Sequence, residues 1–259
     1  MGENPLFAIH GKVALVTGGT RGIGLMIAKA LVQAGVKTYI CSRKEQACVE
    51  AAQELQQYGE VHAIAADLSE MSEIKRLAET ITEKEGQLHI VVNNAGASWG
   101  AEFESFPESG WDKVMDLNLR SIFFLTQQLM PLLKAAATEE DPSRVINIGS
   151  IDGLTCSAFE NYSYTASKAA LHHMTRQLAL NLAKAHININ AIAPGPFATK
   201  MTEGILRQKE GDEWIEKIPL KRTGNACDMA GTAVFLCSPA SAYITGAVIP
   251  LDGGYSTTR

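Results

Sequence analysis

The chain lacks any run approaching the ~18 apolar residues of a membrane-spanning helix, so no membrane partner is expected. It lacks a cationic excess as well. Lysine and arginine number 23 against 28 aspartates and glutamates, a formal net charge of -5, whereas a general nucleic-acid binder shows a basic face. Paired cysteines are missing too: Cys41, Cys48, Cys156, Cys227 and Cys237 are odd in number, with no Cys-x-x-Cys and several inside apolar runs. Reduced, buried thiols in a cytosol are expected, and a metal site is not. The six histidines (His10, His62, His89, His172, His173, His186) show no His-x-x-x-His or carboxylate spacing that would build one. Surface or packing roles account for all six. Residues 1–6 carry no basic segment with a long apolar stretch behind it, and Leu6 stands where a myristoylation signal needs a hydroxyl. There is no internal repeat, low-complexity tract or linker. A soluble, cytoplasmic protein that handles small molecules is the expectation.

What is present is a regular alternation. The 259 residues, 46% hydrophobic, suit one large domain spanning 1–259 with an ample core. Apolar, β-branched runs at 12–16, 36–41, 61–66, 88–92, 144–149, 187–192 and 247–250 read as about seven strands. Helical patterns follow at 25–31, 45–58, 71–85, 111–137 and 164–184, the fourth interrupted at most by Pro131. Such βαβ alternation predicts an α/β fold with a doubly wound, mostly parallel sheet and helices on both faces. Ligands bind beyond the carboxyl ends of such strands. The charged segment 203–221 belongs to no sheet unit; it is either a lid over those ends, spanning about 197–221, or a solvated surface helix.

The first strand runs into Thr17-Gly18-Gly19-Thr20-Arg21-Gly22-Ile23-Gly24 and then a helix. Unsatisfied N–H groups at a helix N-terminus attract a pyrophosphate, which approaches only where side chains are absent. Gly18, Gly22 and Gly24 provide that clearance, although glycine also serves plain turns. After the second strand a dinucleotide site normally offers an acid to a ribose 2′-OH. Here stand Ser42 and Arg43. A guanidinium grips a 2′-phosphate that an acid would repel, and Arg21 adds a second cation, so NADP(H) is predicted over NAD(H). Arg43 as a merely solvated charge is the competing view. Asp67, beside Leu68, suits either the adenine edge or the cap of the next helix.

Tyr164 and Lys168 stand four residues apart and share a helix face. A phenol with pKa near 10 is a poor acid-base group at neutral pH, and a neighbouring ammonium lowers that value. Ser150, at the end of the fifth strand, can hydrogen-bond an oxygen that gains negative charge as a carbonyl is reduced.

Thr17-Gly18-x-x-x-Gly22-x-Gly24, Asn93-Asn94-Ala95-Gly96, Ser150, Tyr164-x-x-x-Lys168 and Pro194-Gly195, in that order, resemble the motif set of the short-chain dehydrogenase/reductase family over essentially the whole chain. The resemblance implies a Rossmann-like single domain that moves a hydride between nicotinamide and a carbonyl or alcohol carbon. It implies that Tyr164 is the general acid/base, that Lys168 lowers its pKa and bonds the nicotinamide ribose, and that Ser150 orients the substrate carbonyl. Asn118 would hold a water on the proton relay. The cofactor set it implies is Gly18, Thr20, Arg21, Gly22, Ile23, Gly24, Ser42, Arg43, Asp67, Leu68, Asn94, Ala95, Gly96, Tyr164, Lys168, Pro194, Gly195 and Thr199. Thr199 would touch the carboxamide end, while Asn94 is structural or at most near the cofactor.

Within the family, residues 146–150, 190–195 and 250–254 are most similar to 3-oxoacyl-acyl-carrier-protein reductases, and 97–101 with 110–115 to the branch linked to rhamnolipid-type β-hydroxyacyl synthesis. A β-ketoacyl thioester, carrier-bound or CoA-like, is the implied substrate; a ketone or alcohol unrelated to fatty acids is the alternative. Where carrier-docking reductases tend to be basic, this chain has Glu139-Glu140-Asp141, and like charges oppose an acidic carrier protein. Trp99 and Phe103 either line a substrate pocket or pack under a loop. The helices at 111–137 and 164–184 are those that pair subunits in the family, implying a homodimer or homotetramer.

Overall fold

The computed structural model describes residues 4–157, 159–200, 202–206 and 209–258. Seven strands form one sheet: β1 (Val13–Thr17), β2 (Lys37–Ser42), β3 (Val61–Ala65), β4 (Ile90–Asn93), β5 (Ser143–Ile148), β6 (Ile187–Pro194) and β7 (Val248–Leu251). Their order is β3-β2-β1-β4-β5-β6-β7, and every pairing is parallel, beyond the mostly parallel sheet expected. Parallel strands need crossovers, supplied by α1 (Gly22–Gln33), α2 (Glu45–Gln56), α3 (Met71–Lys84), α4 (Glu108–Met115), α5 (Ser121–Gln128), α6 (Met130–Ala136), α7 (Tyr162–Leu182) and α10 (Ala226–Cys237). The pieces α8 (Glu203–Leu206) and α9 (Lys209–Glu216) fill the charged segment between β6 and α10.

Both faces of the sheet are covered, which is why β1, β4 and β6 are buried at every position. One core joins Val16, Ile40 and Val92 to α1, α2 and α10; the other joins Leu15, Val91 and Val145 to α3 and α5. Each fully buried Leu, Ile or Val contributes about 1.5–3 kcal/mol. Strand order reverses between β1 and β4, so a crevice opens at their carboxyl ends.

Three expectations need correction. The helix expected over 111–137 begins at Glu108 and is broken twice, by a π turn at Asp116–Arg120 and at Leu129, just before Pro131. The five cysteines are free, yet only Cys41, Cys48 and Cys237 are buried; Cys156 lies in a loop and Cys227 in the first turn of α10, both exposed. Glu139-Glu140-Asp141 precedes β5, at the strand ends opposite Ser150, and Asp141 is paired with Lys12 (2.6 Å) and Arg144 (3.6 Å). No helix among the described residues is long and apolar enough to cross a membrane.

Candidate active site

β1 delivers Thr17 to a turn in which Gly18 (φ +64°) and Gly22 (φ +54°) adopt left-handed backbone. The turn lies so close to α1 that a Cβ on Gly24 would sit 2.3 Å from the Gly18 carbonyl oxygen. The Asn94 amide donates to the carbonyls of Thr17 (2.9 Å) and Gly18 (3.2 Å), while Thr17 Oγ1 accepts from the N–H groups of Asn94 and Ala95 (2.9 Å each). These bonds tie the glycine turn to the turn after β4 and make Asn94 a structural strut. Arg21, the N-cap of α1, makes no side-chain bond to the helix, so no N-cap side chain occupies its first N–H groups. Thr20 is half-buried and Ile23 packs on the core.

From the far side, β6 ends at Pro194, and Gly195 donates to Leu251 O (3.0 Å) in a space where a Cβ would meet Asp252 Cα at 2.8 Å. Thr199 comes back over the glycine turn: its Cγ2 lies 3.4 Å from where a Gly22 Cβ would be. At the other end Ser42 closes β2 and Arg43 is exposed beside it, 3.9 Å from Asp67. Asp67 Oδ1 accepts from the N–H (3.1 Å) and hydroxyl (2.7 Å) of Ser69. It caps the turn into α3, whose own N-cap residue is Glu70. An exposed pair at that distance is worth at most about 1 kcal/mol, so Arg43 keeps its charge available to a phosphate. Leu68 is buried.

Ser150 stands two residues past the end of β5, after Gly149, and its Oγ accepts from Asp152 N–H (3.1 Å), closing a short helical turn over Ile151–Gly153. Ser150 is among the groups that act on the Tyr164 phenol, and it lowers it. One helical turn further, buried Lys168 donates from Nζ to Ile148 O (2.7 Å), with Nζ 5.6 Å from the Tyr164 ring centroid. The end of β5 thus fixes both partners of Tyr164. Burial pushes the phenol up to about 12, with Ser150 lowering it and the Asp152 charge raising it, and Lys168 is not among the groups that shift it. That direction is opposite to the lowering expected of an ammonium neighbour, because desolvation outweighs the lowering from Ser150. Burial also brings Lys168 down to about 8. At neutral pH Tyr164 therefore holds its proton, the form that donates in a reduction.

Asn118 sits in the π turn, fully buried. Its Oδ1 accepts from Ala97 N–H (2.8 Å), and its Nδ2 donates to Ala97 O (2.9 Å) and Ser167 Oγ (3.0 Å). Ser167 in turn donates to Tyr164 O (2.7 Å). With both amide hydrogens on protein groups, the side chain clamps the turn after β4 to α7. A Cβ on Gly96 would approach Asn118 Oδ1 to 3.2 Å. A π turn inside a helix is a frequent mark of a functional site.

Trp99 lies on Gly110, where a Cβ would meet its ring at 2.8 Å, with the Lys113 ammonium 5.1 Å from the ring centroid. Phe103 is 74% exposed and meets Tyr162 edge to face at 5.7 Å. Sequence reasoning missed Phe159 and Trp214, whose rings meet edge to face at 6.0 Å between the loop before α7 and α9. No periodicity or motif links them. Among the described residues no cluster of His, Cys, Asp or Glu is disposed to hold a metal.

Residues 18–256 match the family described as enoyl-(acyl carrier protein) reductase. The rhamnolipids biosynthesis 3-oxoacyl-[acyl-carrier-protein] reductase of Pseudomonas aeruginosa is 49% identical over 253 residues, 97% of this chain and 99% of that one. A 2-dehydro-3-deoxy-D-gluconate 5-dehydrogenase of Bacillus subtilis is 38% identical over 96% of each chain. Among solved structures, the Pseudomonas aeruginosa RhlG/NADP active-site complex superposes with a TM-score of 0.95 at 48% identity, over 98% of this chain and 100% of that one. With the fold, the ordered motifs and full-length relatives in agreement, the chain belongs to this family and is an oxidoreductase of the short-chain dehydrogenase/reductase type.

Proposed function

We propose that the protein is an NADPH-dependent reductase of the keto carbon of a β-ketoacyl thioester. The observation that carries the reaction type is the convergence of Ser150 and Tyr164 from β5 and α7, with Lys168 one turn behind. The glycine turn and the open N-terminus of α1 would hold the pyrophosphate, Arg21, Ser42 and Arg43 the 2′-phosphate, and Asp67 and Leu68 the adenine side. Pro194, Gly195 and Thr199 would border the nicotinamide, whose ribose Lys168 would bond. When bound, NADPH supplies the hydride. The Ser150 hydroxyl then orients the keto oxygen, and Tyr164 gives its phenolic proton to that oxygen as negative charge develops.

For the substrate, the 49% identical 3-oxoacyl reductase supports a thioester. The acidic run before β5 does not oppose a carrier-bound one, because it lies at the far ends of the strands and Asp141 is already ion-paired. Initial rates of NADPH oxidation on acetoacetyl-CoA should exceed those on free ketones and sugars by about tenfold or more in kcat/KM, a gain of ~1.4 kcal/mol. Turnover of the ketones with none of the thioester would instead select an NADP-dependent alcohol dehydrogenase or ketone reductase, the reading that the sugar-acid dehydrogenase relative favours.

The segment 197–221 acts as a lid in this reading, with one boundary moved: Phe197 is 1% exposed and bridged to Gly224, so it belongs to the frame. Ile218 is buried against Gly253, and Trp214 reaches Phe159 beside the site. An edge-to-face pair contributes about 0.5–1.5 kcal/mol. Trp214→Ala should therefore raise KM for the carbonyl substrate roughly 3–10-fold with NADPH affinity unchanged. Equal weakening of both would remove the lid role.

A further inference from the structure

Gly149 and Gly153 bracket the turn that carries Ser150, and one imidazole fills the space that side chains would take at both. His172 is 2% exposed, four residues beyond Lys168 and therefore on the same face of α7 as the catalytic pair. A Cβ on Gly149 would lie 2.1 Å from His172 Nε2, and a Cβ on Gly153 would lie 2.8 Å from Cε1. The ring also bonds the turn, through Nδ1 to Gly153 O at 3.3 Å. A carbonyl only accepts, so Nδ1 carries the hydrogen. Nε2 has no partner and is buried. Such a group is costly to hold at a place where a leucine would pack without penalty.

We propose that His172 is a positioning residue for the reduction: its imidazole presses on Gly149, bonds Gly153, and so fixes where Ser150 presents its hydroxyl to Tyr164. Gly149 N–H also donates to Ile192 O (2.7 Å) and the Asn161 amide to Asp152 (3.3 Å), and a Cβ on Gly153 would meet the Lys168 backbone at 2.7 Å, but His172 is the side chain that packs on both glycines. Ser150 Oγ accepts only from Asp152 N–H within the same turn, so the local bond sets the turn's shape while His172 sets its place against α7. Burial, with the charges of Lys168 and Arg176 adding to it, brings the imidazole down to about 4. It is neutral at neutral pH. The inference rests on the proposed roles of Ser150 in orienting the keto oxygen and of Tyr164 as its acid, and it assigns His172 no contact with substrate.

His172→Leu keeps the bulk and removes the donor; His172→Asn restores a donor close to the position of Nδ1. With NADPH and whichever carbonyl compound the unaltered protein reduces best, His172→Leu should lower kcat about 10–100-fold, as a misplacement of about 1 Å does. KM and the NADPH dissociation constant, read by cofactor fluorescence, should stay within about twofold, and His172→Asn should recover most of the loss. Nitrogen-15 NMR of histidine-labelled protein should show the Nδ1–H tautomer at His172. The idea is overturned if a folded His172→Leu protein keeps its kcat, if the Asn variant is no better than Leu, or if the ring carries its hydrogen on Nε2. Should the Leu variant not fold, a folded Asn variant with a kcat loss beyond tenfold overturns it equally. The tautomer does not depend on turnover, so a failure of the proposed reaction and a failure of this role are told apart.

Discussion

Tyr164→Phe is expected to lower kcat by about 10²–10⁴-fold, the span of a positioned general acid, while NADPH binds as before. The substitution removes one oxygen from a residue whose ring stays seated beside Lys168 Nζ, so neither the fold nor the glycine turn has cause to change. What disappears is the proton held ready beside Ser150. A titration of NADPH fluorescence set against single-turnover rates separates the two effects. Unchanged turnover would sink the assignment, whereas NADPH binding by the unaltered protein with no turnover of any carbonyl compound would favour a cofactor-binding regulator that keeps the fold.

Arg43→Ala should raise KM for NADPH by about 10–100-fold, the value of a charge-assisted hydrogen bond of roughly 1.5–3 kcal/mol, and leave NADH almost untouched. Arg43 has no strong competing partner: Asp67 is 3.9 Å away, and its Oδ1 is occupied by Ser69. Removing the arginine also leaves Asp67 facing the same region, so a dianionic 2′-phosphate would meet net repulsion where it had met a cation. NADH lacks that phosphate and has little to lose. Initial rates with the two cofactors, before and after substitution, give the comparison. A loss shared equally by NADPH and NADH would place Arg43 away from the 2′-phosphate.

Local spacing made much of this site legible. Glycines between an apolar run and a helix, a tyrosine four residues before a lysine, and a serine closing a strand are patterns that act over a few residues. They hold because strand and helix periods place neighbours on known faces. Two expectations failed where burial decided. The Tyr164 phenol is raised because desolvation exceeds every nearby attraction, and no run of letters reports how deep a side chain will lie. The helix at 108–136 breaks at Asp116–Arg120, where the Asn118 amide is drawn to Ala97 and Ser167, both distant in sequence.

By itself the sequence determined the order of the seven strands, a mostly parallel sheet, the helices as far as α7 though not α10, the glycine turn, the cation that takes the place of an acid after β2, and the choice of Ser150, Tyr164 and Lys168 as candidates. Those features follow from hydrophobic period and local chemistry. Only the tertiary structure decided that Thr199 covers the glycine turn, that Asp141 is neutralised at the far end of the sheet, and that His172 lies under the Ser150 turn. Contacts between residues distant along the chain, and the loss of water that accompanies them, exist only once the two faces of the sheet have closed.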